Sequence, residues 1–216
     1  MSIHKTYAVF GLGRYGSAVA GELCANGAEV IAVDRDEAAV ENAIPFLPVC
    51  KCADVTDPEV IAKLGIANVD AVVIAMAGSM EASIMATMLC KEAGVPTVIA
   101  KCCNEMHGRI LNRVGADKVV FPENESGKRL ARNLLSSGFI DMAELSDQIS
   151  IVELTVRDEW IGKSLAELRL REKHEINVIA VIRNSRADIS INPTAPIQPG
   201  MRLIVVANTA KLKKMK

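Results

Sequence analysis

Up to about residue 125 the chain alternates short, unbroken apolar runs with stretches whose apolar positions recur at helical spacing. The runs predict strands over Thr6–Phe10, 29–33, 48–52, 71–75, 97–101 and 118–121. The stretches between them predict helices over 15–25, 37–44, Pro58–Leu64, 80–93 and 106–114, and a further amphipathic stretch covers 126–136. Asp57 stands where it can cap the helix opening at Pro58. Gly27, Gly65, Gly94 and Gly115 stand where helices stop. Strands without a polar face suit a parallel sheet covered on both sides. Strand-helix alternation makes that sheet doubly wound, and six strands match the Rossmann-type α/β fold.

The pattern changes after Ser136, Ser137 and Gly138, which read as a helix end and hinge. Period-two alternation begins at 150–156, "SIVELTV", and strands are predicted there and over Ile176–Arg183, 188–191 and 202–206. A short helix is predicted over 164–170. This gives a small β-rich lobe of roughly 70 residues with its own core. The expected organisation is a nucleotide-binding domain over 1–138, ending in a crossover helix near 124–137, and a C-terminal lobe over 139–216. The terminal "KLKKMK" reads as a solvated end.

The chain has 216 residues, half of them hydrophobic and only 3% aromatic, so both cores must be aliphatic. A formal net charge of -1 argues against a general nucleic-acid binder. No apolar run approaches the roughly 18 residues of a membrane helix, and no signal segment opens the sequence. A cytoplasmic protein is expected. The six cysteines do not follow zinc-finger or redox spacings. They read as reduced small hydrophobes, with a metal site including His107 as the alternative.

"VFGLGRYG" carries the chemistry. Gly11, Gly13 and Gly16 form a G-x-G-x-x-G directly after a strand and at the opening of a helix. Gly11 permits the tight turn, Gly13 a close approach of backbone to phosphate, and Gly16 close packing of helix on sheet. Leu12 and Tyr15 complete the loop. Asp34 ends the second strand about 20 residues on, where a carboxylate accepts ribose hydroxyls. It repels a 2′-phosphate, although Arg35 beside it weakens that exclusion. Asp54 and Val55 follow the third strand, where an acid can meet the adenine amino group. Ala77 and Gly78 follow the fourth and leave room for a phosphate or sugar. Arg14 opposes the dipole of the helix it opens. It is either solvent-exposed or answers extra negative charge such as a terminal phosphate, which favours ATP or ADP beside NAD.

In order along the chain, "GLGRYG", "VIAVDRD", "ADVTD", "VVIAMAGSMEAS", "VIAKC" and "GADKVVFPE" resemble the successive motifs of the RCK/KTN domain. The segment from "SIVELTV" through "GKSLAELRLREKHEINVIAVIR" to "PGMRLIVVA" resembles its C-terminal lobe. The likeness is to cytosolic gating subunits of Ktr/Trk-type potassium uptake systems, and a single unit of this length is more like the Ktr kind.

The resemblance implies dimers that assemble into an octameric ring beneath a membrane-embedded potassium channel or transporter subunit. It implies ATP and ADP competing for one site, with NAD(H) bound in some members. It also implies that Arg14 reaches a terminal phosphate in the neighbouring subunit, and that Lys101 and Glu123 join the site. Glu123 would help hold Mg or another cation between subunits; its alternative is an ordinary acid at a helix N-terminus. "LREKHEINV" resembles a cyclic di-AMP site with Leu170, Arg171, Asn177, Val178 and Pro193, while the same charges also suit a solvated face. In the family, glycine then asparagine often follow the fourth strand, where this chain has Ala77, Gly78 and Ser79.

Two other readings compete. An NAD-dependent dehydrogenase fits the glycine loop, but His4, His107 and His174 are scattered and the second lobe is small. An NADH-responsive repressor needs a DNA-binding module ahead of the sheet, where only about five residues stand.

Overall fold

The computed structural model describes residues 5–76, 78–135, 139–146, 148–184 and 186–208. The readings at Ser136–Gly138 and in the terminal tail lie outside the described residues. The chain forms two compact units, Met1–Pro122 and Glu123–Lys216.

In the first unit, β1 (Thr6–Phe10), β2 (Glu29–Asp34), β3 (Val49–Cys52), β4 (Ala71–Ile74), β5 (Val98–Lys101) and β6 (Lys118–Val120) form one sheet. Its order is β3-β2-β1-β4-β5-β6 and every pairing is parallel. The intervening helices are α1 (Arg14–Ala25), α2 (Glu37–Ala43), α3 (Pro58–Leu64), α4 (Met80–Glu92) and α5 (Glu105–Arg113).

Successive side chains of a strand point to opposite faces, and here each face has its own core. Phe10, Val33, Val72 and Ile74 enter one cluster with Leu89 and Leu111. Val9, Val30, Ala32 and Val73 enter the other with Ala20, Val40 and Leu47. This two-sided burial is why the strands read as unbroken apolar runs.

Side chains cap α2, α3, α4 and α5 through Asp36, Asp57, Ser79 and Asn104. Another carboxylate stitches the sheet. Asp117 Oδ2 accepts the Val98 amide at 2.7 Å and the Lys91 ammonium at 2.9 Å. These bonds, the Val98 amide foremost, hold its carboxyl below the usual carboxylate range. Its contribution to stability is therefore complete above the unfolded value near ~4 and is lost as pH falls through the lower folded value. Asp117→Asn is expected to lower stability by about 1 kcal/mol at neutral pH, a figure that allows for its exposure. It should also flatten the acid limb of a Tm-against-pH curve. An acid limb identical to that of the parent protein would refute this assignment.

Helix α6 (Pro122–Leu135) begins at the last residue of the first unit and opens the second; it starts with proline in the first turn and has Glu123 and Glu125 beside it. An antiparallel sheet follows from β7 (Phe139–Glu144), β8 (Ile149–Thr155), β9 (Ile176–Arg183), β10 (Arg186–Asp188) and β11 (Arg202–Asn208), in the order β10-β9-β11-β8-β7. Val152, Leu154, Trp160, Leu168, Leu170, Ile176, Leu203 and Val205 form its core.

One strand was not anticipated and two local readings are corrected here. Strand β7 occupies part of "SSGFIDMAELSDQ", which has no clean alternation; it exists through pairing with β8. The strand expected at 188–191 is Arg186–Asp188, because Asp188 Oδ1 accepts the Ser190 amide at 2.8 Å and turns the chain. The helix expected over 164–170 is two short ones, α7 (Leu165–Leu168) and α8 (Leu170–His174). Arg169 between them is left-handed, φ 50°, and a capping box of Ser164 with Glu167 fixes the first turn.

Candidate functional site

The strand order reverses between β1 and β4, and the crevice beyond their carboxyl ends is where ligands bind in such sheets. A cleft of about 410 Å³ lies there, lined by residues that include Gly11, Gly13, Asp34, Arg35, Asp54, Val55 and Gly78. The sequence missed Thr56, Met76, Ser79 and Ala82 on its wall. Ser79 was findable as a serine directly ahead of a helical pattern. Met76 gave no sign, being one more apolar residue after a strand. Ala77 lies outside the described residues.

The loop is built as its spacing suggests. Gly11 has φ 93°, and a Cβ there would meet Met76 Cγ at 2.8 Å. Gly16 is buried, and a Cβ there would overlap the Gly11 carbonyl oxygen. Gly13 differs, since nothing lies within 4 Å of where its Cβ would stand, and its φ of -67° suits any residue. Gly13 is also the N-cap of α1 and supplies no side-chain cap, and the first turn of α1 holds no acid. The positive end of this helix is thus left to face the cleft.

Asp34 is tied to the loop. Its Oδ2 accepts the Leu12 amide at 2.6 Å and its Oδ1 the Asp36 amide at 2.9 Å. Each carboxylate oxygen has two acceptor positions, so one remains on each for a pair of hydroxyls. Asp54 Oδ1 accepts the amide and hydroxyl of Thr56 at 2.9 and 2.7 Å, and these bonds hold its carboxyl below the usual range. Leu12 contributes its backbone, its side chain being part of the core. Tyr15 packs against the same core, with the Lys101 ammonium 5.5 Å from its ring centre. Arg14 is exposed in the first turn of α1. Glu123 belongs to the second unit, exposed in the first turn of α6.

In the second unit a pocket of about 440 Å³ brings together Leu170, Arg171, Asn177, Val178 and Pro193, with Arg169 and Ile191 also on its wall. Arg169 pairs with Glu172. The turn at Arg169 places α8 against β9, a juxtaposition that the linear order of "LREKHEINV" only hints at. Among the described residues, no group of three or more His, Cys, Asp or Glu is placed to hold a metal ion.

Fold and cleft together define a Rossmann-type protein whose doubly wound sheet, with a glycine-rich loop at its switch point, is followed directly by an antiparallel lobe. The chain belongs to the RCK family of Ktr/Trk potassium-uptake regulatory subunits: residues 7–122 match the TrkA-N domain and residues 149–216 the TrkA-C domain. It is 35% identical over 210 residues to Ktr system potassium uptake protein C of Bacillus subtilis, covering 97% of this chain and 95% of that one. It is 34% identical over 208 residues to Ktr system potassium uptake protein A of Vibrio alginolyticus, covering 96% and 94%. Among solved structures, the GsuK RCK domain matches 98% of this chain with a TM-score of 0.53 and 23% identity. The GsuK channel bound to NAD matches 97% with a TM-score of 0.53 and 23% identity. This chain spans 46% and 37% of those two chains, and the likeness shows the shared fold.

No helix among the described residues is long and apolar enough to cross a membrane.

Proposed function

We propose that this chain is a cytoplasmic, non-enzymatic subunit that gates a membrane potassium transporter or channel by binding an adenine nucleotide at the β1/β4 crevice. The observation that carries the reading is the open space at Gly13. The fold does not require glycine there, whereas a phosphate approaching the α1 amides does. Asp34 supplies acceptors for the ribose hydroxyls, and Asp54 an acceptor for the adenine amino group. ATP, ADP and NAD(H) share this adenosine portion. Asp34, Arg35 and Asp54 are the titratable groups on the cleft wall. That set offers recognition, and no histidine, cysteine, lysine or tyrosine stands with it among the described residues of the cleft wall, which favours a sensor over a dehydrogenase.

Gating requires a ligand with different affinity for two states. Arg14 provides the difference: it stands exposed at the helix opening, able to answer the third phosphate of ATP, which ADP lacks. In the assembly, dimers build an octameric ring under the membrane subunit, Arg14 reaches across to a neighbour's nucleotide, and Lys101 and Glu123 approach the phosphates, Glu123 through Mg or another cation. The pocket at Arg171 and Asn177 is offered to cyclic di-AMP. Its arginines suit a phosphate, and Leu170, Val178, Ile191 and Pro193 suit a base.

The test is calorimetric titration of ATP and ADP with parent and Arg14→Ala protein. Loss of a charge-assisted contact of about 1.5 kcal/mol is expected to cut ATP affinity by about tenfold. ADP affinity should change less than about twofold. An ATP preference that survives the substitution would overturn the role of Arg14. Absence of adenine-nucleotide binding in the parent protein would overturn the whole reading.

A further inference from the structure

The six cysteines are not equivalent. Cys90 and Cys102 are buried, Cys24 and Cys50 half-buried, and Cys52 and Cys103 exposed. Cys103 has a histidine against its sulfur. His107 Nδ1 lies 3.3 Å from Cys103 Sγ and also accepts the Cys103 amide at 3.3 Å. Accepting that amide makes Nδ1 the bare nitrogen of the ring, so the network assigns the ring proton to Nε2. Nε2 stands 2.7 Å from Ser83 Oγ and donates to it, and the Ser83 hydroxyl is 3.2 Å from the Met80 carbonyl. Both His107 and Ser83 are fully buried. Burial pushes the imidazole below its ordinary value, so it is a neutral base at neutral pH.

Asn104 completes the arrangement. Its Oδ1 accepts the His107 amide at 2.9 Å, which orients its Nδ2 toward Cys103 Sγ at 3.4 Å. The exposed sulfur thus has a base on one side and a hydrogen-bond donor on the other, at the opening of α5. A nucleophile within reach of a base that a third group orients is the arrangement of an activated thiol.

We infer that Cys103 is a modification site, a thiol activated by His107 and positioned by Ser83, which exchanges with small disulfides. In the exchange, Sγ attacks one sulfur of the disulfide and its proton passes to the single lone pair of His107 Nδ1, which releases the Cys103 amide to take it. A new S–S bond forms as the old one breaks, and the imidazolium returns the proton to the departing thiolate. The protein ends as a mixed disulfide and one small thiol is released, so no further oxidant is required. The adduct lies two residues beyond Lys101, whose ammonium rests over the Tyr15 ring of the loop helix. The site does not depend on the nucleotide reading.

The experiment uses the full chain and oxidised glutathione, quenched over time, with the adduct at each cysteine measured by peptide mass spectrometry. Cys52 is the internal reference, also exposed, with its sulfur 3.5 Å from the Arg35 carbonyl. Cys103 is expected to react at least about tenfold faster than Cys52, a margin below the roughly hundredfold that a well-positioned base contributes. In His107→Gln the two rates should converge while the Cys52 rate stays unchanged. Cys90, fully buried with its thiol pushed up to about 12, reports folding in the same digest, since only an opened core exposes it. Equal rates at Cys103 and Cys52 in the parent protein would overturn the proposal without any variant. A fast Cys103 in folded His107→Gln would overturn the role of the imidazole. Ser83→Ala, with Cys90 still protected, should slow Cys103 and leave Cys52 unaffected; an unchanged Cys103 rate would overturn the positioning role of Ser83.

Discussion

Gly16→Ala is expected to destabilise the first unit by about 3 kcal/mol, the upper range for forcing an atom into a packed site. A Cβ at this position overlaps the Gly11 carbonyl oxygen and comes within 3.1 Å of Ala75 Cβ. The first obstacle is backbone and cannot swing aside. Either α1 lifts from the sheet or the turn at Gly11 opens, and in both cases the loop that would hold a phosphate is displaced. Nucleotide affinity should fall together with Tm. Gly13→Ala is the control, because its Cβ meets nothing in the protein. It should leave Tm within about 1 kcal/mol-equivalent of the parent while weakening nucleotide binding. Differential scanning fluorimetry with and without ATP separates the two. Equal loss of Tm in both variants would mean that Gly13, like Gly16, is required by packing, and the main argument for a ligand at the loop would go.

Asp34→Ala is expected to reduce affinity for ATP, ADP and NADH alike, by about 10- to 100-fold, corresponding to one or two hydrogen bonds to a charged acceptor. It should also lower stability by about 2 kcal/mol, since the Leu12 amide is left without its 2.6 Å acceptor in a part-buried position. The effect is uniform across ligands because all three present the same ribose hydroxyls. Arg14→Ala, by contrast, should discriminate between ATP and ADP, so the two substitutions dissect the site into a part that holds the nucleoside and a part that counts phosphates. Unaltered affinities in folded Asp34→Ala would place the ribose elsewhere.

The elements of the first unit were legible because each strand and helix announces itself over neighbouring residues. The strand at Thr6–Phe10 and the helix at Pro58–Leu64 stand at the expected limits, and the other boundaries move by a residue or so. The glycine loop was legible for the same reason, as its pattern lies in three glycines and one strand. The second unit was harder. Strand β7 is held by register with β8, and no local signal in "FIDMAE" requires it. The left-handed Arg169 had no glycine to mark it, so one helix was expected where two stand.

The sequence by itself determined the alternation of strands and helices, the glycine-rich turn between the first strand and the first helix, and the change to period-two patterning. These depend on side chains a few residues apart, where apolar spacing and glycine chemistry decide the outcome. Only the tertiary structure decided which residues meet across the fold. It separated Gly13, empty above its backbone, from Gly16, packed against another turn, although the motif writes them alike. It gathered Arg171, Asn177 and Pro193 around one pocket. It also set His107 between Ser83, 24 residues away, and an exposed Cys103. Such contacts join elements that fold back on one another, and the burial that neutralises an imidazole or leaves a sulfur exposed belongs to the packed chain alone.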